Sequence, residues 1–139
     1  MSNDLRPGSV IRYPYLWRWQ GERGETEGRK ERPVCVVIAV RGRDDCTHLV
    51  LLAISSQPPS GEQAALEIPD IERRRAGLSD WRRAWITISE YNYDIAERSW
   101  YLDVNQHPLG RFSKPFMIHL ASAFAPLFKK RQARVDRSE

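Results

Sequence analysis

Apolar positions along the chain fall into short, dense clusters separated by charged or Pro/Gly-rich breaks. The densest pair covers residues 33–40 and 47–55, near-continuous apolar runs rich in β-branched side chains. Such runs predict strands buried on both faces. Gly42-Arg43-Asp44-Asp45, between them, has the composition of a hairpin turn. Upstream, residues 9–17 alternate loosely through Val10, Ile11, Tyr13, Tyr15 and Trp17 and predict a first strand, with Pro14 forcing an edge position or a bulge. Further strands are predicted at 65–68, 85–88 and 99–104. Asp70 is placed to cap a helical turn over 71–76 that Gly77 ends. Ser113 is placed to cap a C-terminal helix, with Pro115 tolerated in its first turn. Phe116, Leu120, Phe124, Leu127 and Phe128 recur there at helical spacing as a core-facing stripe, and Pro126 is expected to kink or shorten the helix. Residues 18–31 carry three glycines and both charge signs, the pattern of a mobile loop that buries nothing.

Several short strands with Gly/Pro turns and one closing helix predict a mainly β fold, a small and strongly curved sheet or barrel. There is no internal repeat and no second-domain boundary. The expected organisation is a flexible N-terminus at 1–6, one domain at 7–130 and a basic C-terminal tail at 131–139. A chain of 139 residues with 41% hydrophobic content is long and apolar enough for a core. Its net charge of +4 admits a nucleic-acid partner without requiring one, since much of the excess lies in 129–137. No segment has signal-peptide order and no apolar run is long enough to cross a membrane, so a cytoplasmic protein is expected. Cys35 and Cys46 are then buried thiols, too few for a metal cage. Phosphate-cradling glycine loops, HExxH, CxxC and nucleophile-elbow motifs are all absent, so neither a metal nor a cofactor is expected. His119 falls in the C-terminal helix as a structural residue, and His107 precedes a proline in a turn. His48 opens the second buried strand and is open to either role. Arg73-Arg74-Arg75 reads as a solvated face or a phosphate contact.

One constellation carries candidate chemistry. Arg32 stands at the entry of the first buried strand, where it either pairs with a neighbouring carboxylate or meets an anion. A hairpin at 42–45 brings it to the same open end as Ser55 and Ser56, and a guanidinium beside hydroxyls makes a phosphate site. Trp17, Arg18 and Trp19 interleave aromatic and basic groups, and Arg29 and Lys30 add charge on the adjoining loop. These aromatics are either core and interface or faces for unstacked bases.

The arrangement resembles the PemK/MazF-type toxins of bacterial toxin–antitoxin modules. The matching residues are Pro7-Gly8-Ser9-Val10-Ile11, then Arg32-Pro33-Val34-Cys35-Val36-Val37 after a charged loop, then Leu51-Leu52-Ala53-Ile54-Ser55-Ser56. The similarity covers roughly residues 7 to 57. It implies an SH3-like β-barrel with a C-terminal helix, usually a homodimer. It also implies metal-independent, sequence-specific cleavage of single-stranded RNA, restrained by a cognate antitoxin protein. Arg32 matches the family's strand-entry arginine, and Ser55 or Ser56 its hydroxyl position. An Arg-x-Asp pair that serves some members as acid and base has no counterpart in 84–94. Glu27 or Glu31 is the candidate base, with Glu90 ranked behind them. The alternative is a catalytically inactive barrel that binds nucleic acid or protein.

Overall fold

The computed structural model describes residues 5–26, 28 and 30–138. Its elements are β1 (Ser9–Tyr13), α1 (Arg18–Glu22), β2 (Arg32–Arg41), β3 (Thr47–Ser55), β4 (Ala65–Glu67), α2 (Asp70–Arg75), β5 (Trp85–Thr87), β6 (Tyr91–Ile95), β7 (Gly110–Arg111), α3 (Lys114–Phe128) and β8 (Arg134–Asp136). Single 3-10 turns occupy Ala96–Arg98 and Arg131–Ala133. The fold is mainly β. Strands join along the path β4-β5-β3-β2-β1-β7, with β6 attached to β3 and β8 to β6. Only the β6–β8 pairing is parallel, and the path does not close on itself.

β3 organises this sheet because both of its faces are apolar. Side chains alternate across a strand. Val50, Leu52 and Ile54 therefore enter a core with Val10, Cys35 and the α3 residues Phe116, Leu120 and Phe124. Leu49, Leu51 and Ala53 enter a second core with Ile11, Tyr13, Tyr15, Val34, Val36, Ala96 and Leu102. Burying each of these large side chains is worth roughly 1.5–3 kcal/mol. One edge of β3 pairs with β2, in the hairpin expected at 42–45. Its other edge is divided, with His48–Leu51 on β6 and Ile54–Ser55 on β5. The sheet splits and bends at that division. Both cysteines are free and buried, and burial pushes the Cys35 thiol up.

α3 closes the first core as its stripe predicts. The Ser113 hydroxyl accepts from the Phe116 N–H at 3.3 Å, and Pro115 lies in the first turn. Pro126 sits inside the helix, which ends two residues later at Phe128. Buried Glu72 of α2 anchors this start, accepting from the Ser113 N–H (2.9 Å), the Ser113 hydroxyl (2.6 Å) and Arg75 (2.7 Å). The triple arginine is consumed within α2, Arg73 and Arg74 pairing with Asp70 and Arg75 with Glu72. No described helix is long and apolar enough to cross a membrane.

Four expectations are corrected. β1 stops at Tyr13, before Pro14, and does not run to Trp17. No strand forms at 99–104. The Ser99 hydroxyl donates to Asp94 (2.6 Å) and accepts from the Tyr101 and Leu102 N–H groups (both 3.0 Å), so a side-chain-centred turn replaces extended chain. The strand lies instead at Tyr91–Ile95. The expected basic tail contains β8, which pairs with β6 and carries Val135 and Arg137 into the interior. Of the expected flexible N-terminus, residues 1–4 lie outside the described residues and Leu5 packs on the second core.

Burial pushes the Glu72 carboxyl up, but the Ser113 hydrogen bonds and Arg75 outweigh it and leave the group below its ordinary value. A depressed folded pKa gives stability that is present above the unfolded value and lost as pH falls through the folded one. Glu72→Gln should therefore lower unfolding free energy by about 1–3 kcal/mol at pH 7. In urea melts, the gap to the parent should shrink as pH drops below 4.

Candidate functional site

After β1 the chain does not enter solvent. Tyr13 to Arg18 lies across one face of β6, held by alternate residues of the segment 90–94. The Tyr13 hydroxyl donates to Asp94 (2.7 Å). The Asn92 amide accepts from the Leu16 N–H (2.9 Å) and donates to the Leu16 carbonyl (2.7 Å). Glu90 accepts from the Arg18 N–H (2.8 Å) and the Tyr15 hydroxyl (3.2 Å). All three polar residues are at most 6% exposed. Arg137 completes the clamp from the C-terminal side, donating to the Pro14 carbonyl (2.9 Å), Asn92 (3.0 Å) and the Thr26 carbonyl (3.2 Å) while stacking 3.9 Å from the Tyr101 ring centroid.

Beyond this segment the expected mobile loop is partly structured. α1 forms at Arg18–Glu22 with Gln20 buried, and the Gln20 side chain accepts from the Trp17 N–H at 3.0 Å. Gly28 lies so close to the Pro14 and Tyr15 carbonyls that any Cβ would overlap them. The loop is thus pressed onto the clamped segment, contrary to a loop that buries nothing. Glu27 and Arg29 lie outside the described residues.

The result is a cleft of about 310 Å³ lined by Tyr15, Trp17, Trp19, Gln20, Lys30 and Arg32. Arg32 is half-buried, its guanidinium 5.2 Å from the Trp17 ring centroid. Its Nε is buried with no hydrogen-bond partner, and no carboxylate pairs with it among the described residues. Burial lowers the Arg32 pKa, and the neighbouring Tyr15 opposes that shift. A desolvated guanidinium without a counter-ion is costly. Lys30 adds a second cation at the rim. Two cations, aromatic walls and no carboxylate among the described lining residues favour an anion bearing a planar group.

Behind Tyr15 sits the titratable partner. Burial raises the Glu90 carboxyl above its ordinary value, against the opposing Arg18 N–H and Tyr15 hydroxyl bonds. Burial and Glu90 together push the Tyr15 phenol well up, while Arg32 pulls it down. Tyr15 is therefore coupled to both the cation and the acid. A larger cavity of about 790 Å³ lies beside Ala39, Arg41, Thr47, Glu97 and Leu102. Two of its charges are already engaged, Arg41 with Asp45 (2.9 Å) and Glu97 with the Thr47 N–H and hydroxyl (2.6 and 2.7 Å), while Arg6 also lines it. The smaller cleft has the stronger claim to chemistry.

Of the expected site residues, Arg32, Trp17, Trp19 and Lys30 meet in one cleft. Arg18 does not line it, because its guanidinium donates to the Gln132 carbonyl at 3.0 Å. Continuing the β2–β3 register two residues beyond Val34↔Ala53 sets Ser55 across from Arg32. The Ser55 hydroxyl accepts instead from the Gln57 N–H at 3.0 Å, and Ser56 is exposed. No hydrogen bond joins either serine to Arg32 among the described residues. Glu31 is exposed outside the cleft lining. Tyr15, Gln20 and the placement of Glu90 add to the sequence reading. Period-two alternation from Glu90 to Ile95 was the available signal, with polar residues on one face and Tyr91, Tyr93 and Ile95 on the other.

Comparison with family profiles, curated proteins and solved structures gives no match to this chain.

A carboxyl raised on folding contributes stability below its unfolded pKa that is lost as pH rises through the folded value. The parent should therefore lose stability from about pH 4.5 upward, through the Glu90 titration. Each tenfold difference in proton affinity between the folded and unfolded carboxyl amounts to about 1.4 kcal/mol. Glu90→Gln should flatten that decline, read by urea denaturation at half-unit pH steps.

Proposed function

We propose that the Arg32 cleft binds a phosphodiester of single-stranded RNA and that the protein is a toxin-like, metal-independent endoribonuclease of the PemK/MazF type. One observation carries the reading. A half-buried guanidinium without a carboxylate partner among the described residues faces an aromatic cleft, one phenol away from a buried carboxyl whose pKa is raised. The finer fold reading, an SH3-like barrel opened along one seam, belongs to the same proposal. So do a cytoplasmic location, a homodimer and a cognate antitoxin protein.

In this mechanism Arg32 and Lys30 hold the phosphate, and Trp17 and Trp19 offer faces to the flanking bases. Ionised Glu90 draws the Tyr15 proton, and the Tyr15 oxygen takes the proton of the ribose 2′-hydroxyl. The 2′-oxygen forms a bond to phosphorus, Arg32 stabilises the added charge, and the P–O5′ bond breaks. The departing 5′-oxygen takes a proton from solvent. The products are a 2′,3′-cyclic phosphate and a 5′-hydroxyl.

A second reading is favoured by the low exposure of Glu90, 6%, beneath Tyr15 and the Arg18 N–H. A base so covered suits a barrel that binds RNA without cutting it, in keeping with the absent Arg-x-Asp pair. A mixed-sequence single-stranded RNA, labelled at its 5′ end and incubated with EDTA, separates the two. The first reading predicts cyclic-phosphate products and a loss of about 10²–10³-fold in rate for Arg32→Ala. Retarded but intact RNA would establish the binder. Unchanged binding and cleavage in Arg32→Ala would remove Arg32 from either role.

A further inference from the structure

On the face of β6 opposite Glu90, Asn92 and Asp94 lies a second polar constellation. Tyr93 projects there, and its hydroxyl lies 2.5 Å from His48 Nδ1. His48 Nε2 lies 3.0 Å from an Asp44 carboxylate oxygen. One protonation pattern satisfies both contacts: the Nε2–H donates to Asp44, and Nδ1 accepts from the phenol. This is a carboxylate–imidazole–phenol relay, with the imidazole oriented to receive the phenolic proton.

Three elements hold it in place. Asp44 belongs to the β2–β3 turn, where it also accepts from the Cys46 N–H at 3.1 Å. His48 lies on β3 directly opposite Ile95 of β6, and its ring stacks with Tyr93 at 5.9 Å and 29°. Any Cβ at Gly42 would crowd His48 Nε2, so the turn fits closely around the imidazole. From β8, the Arg134 guanidinium sits 4.0 Å from the Tyr93 ring centroid and pairs with Asp136 at 3.2 Å. The charged groups acting on the relay are therefore Arg134 and Asp136 from β8, Asp94 from the opposite face of β6 and Arg98 from the 3-10 turn, the last acting on Asp44. The relay stays accessible, with 30% and 36% of the His48 and Asp44 side chains exposed.

We propose that Tyr93 is a nucleophile, activated by His48 and Asp44, toward anionic tetrahedral electrophiles of the phosphoryl or sulfonyl class. The chemistry is distinct from the Arg32 cleft and does not rest on RNA cleavage. With a phosphoryl donor, the Tyr93 Oη–P bond forms as the P–O bond to the leaving group breaks. The phenolic proton passes to His48 Nδ1 and then to the departing oxygen. Arg134, beside the ring, attracts the donor's negative charge. Burial raises the Tyr93 phenol above its ordinary value and Arg134 lowers it, so reaction depends on proton removal by His48 and not on a standing phenolate.

The test uses 4-(fluorosulfonyl)benzoate, an anionic tetrahedral probe, on the full chain. Here the Oη–S bond forms, fluoride leaves and the proton goes to His48. Peptide mass mapping should find Tyr93 modified at least about tenfold faster than any other tyrosine. His48→Gln, which can accept the hydrogen bond but cannot take the proton, should remove that advantage. Asp44→Asn, on an exposed turn, should lower it without changing the urea midpoint. Labelling spread evenly over the tyrosines, or Tyr93 labelling unchanged in both variants, would overturn the assignment.

Discussion

The candidate site depends on a buried hydrogen-bond ladder between one face of β6 and the segment that leaves β1. Glu90, Asn92 and Asp94 occupy a face that an ordinary amphipathic strand would turn to water. They bury it against Tyr13 to Arg18 instead. Each of these groups would cost about 1–3 kcal/mol if left without its partner, so the segment has little freedom to move. Arg137 raises the stakes by reaching the same backbone from the C-terminus. A chain end that looks like a basic tail thus becomes part of the floor.

Rigidity of that kind is what a charged site needs. Arg32 sits on the strand paired with β1 and faces aromatic rings fixed by the ladder. Its desolvation is sustained by two packed cores on either face of β3, a cost that the proposed anion would offset. The same ladder couples Arg32 to Glu90 through Tyr15, so the proposed phosphate contact and the proposed proton transfer would share one cleft. β6 also separates the molecule chemically. One face carries the Glu90–Tyr15 pair, the other the His48–Tyr93 relay.

Much of this architecture was legible in the residues. The two apolar runs, their hairpin, the α2 turn and the Ser113-capped helix follow from local periodicity and turn composition. Asp70, however, does not cap α2: it is the first helical residue, behind an N-cap Pro69 that makes no side-chain cap bond, and its carboxylate pairs with Arg73 and Arg74. Arg32, Trp17, Trp19 and Lys30 were legible as candidates because Lys30 closely precedes Arg32 in sequence and the aromatic-basic stretch lies on the loop that leads into β2. The hairpin argument for Ser55 and Ser56, by contrast, did not bring them into hydrogen-bond contact with Arg32. β6 was not, because its alternating polar residues look solvated until Tyr13 to Arg18 is known to cover them. The strand expected at 99–104 failed for a related reason, since Ser99 binds backbone groups that a strand would have paired. Arg137 was illegible because its partners are carbonyls 111 and 123 residues away. Long-range satisfaction of buried polar groups decides the β6 and Arg137 misses, and a local side-chain turn decides the one at 99–104.

The central claim is that the Arg32 cleft is where RNA meets the protein. Photocrosslinking with a 4-thiouridine-containing single-stranded RNA tests it most directly, with the attachment point mapped by peptide mass. Crosslinks should concentrate on Trp17 or Trp19 and be suppressed by unlabelled RNA. Crosslinks confined to the basic residues of 129–137, or to the His48–Tyr93 face, would contradict it.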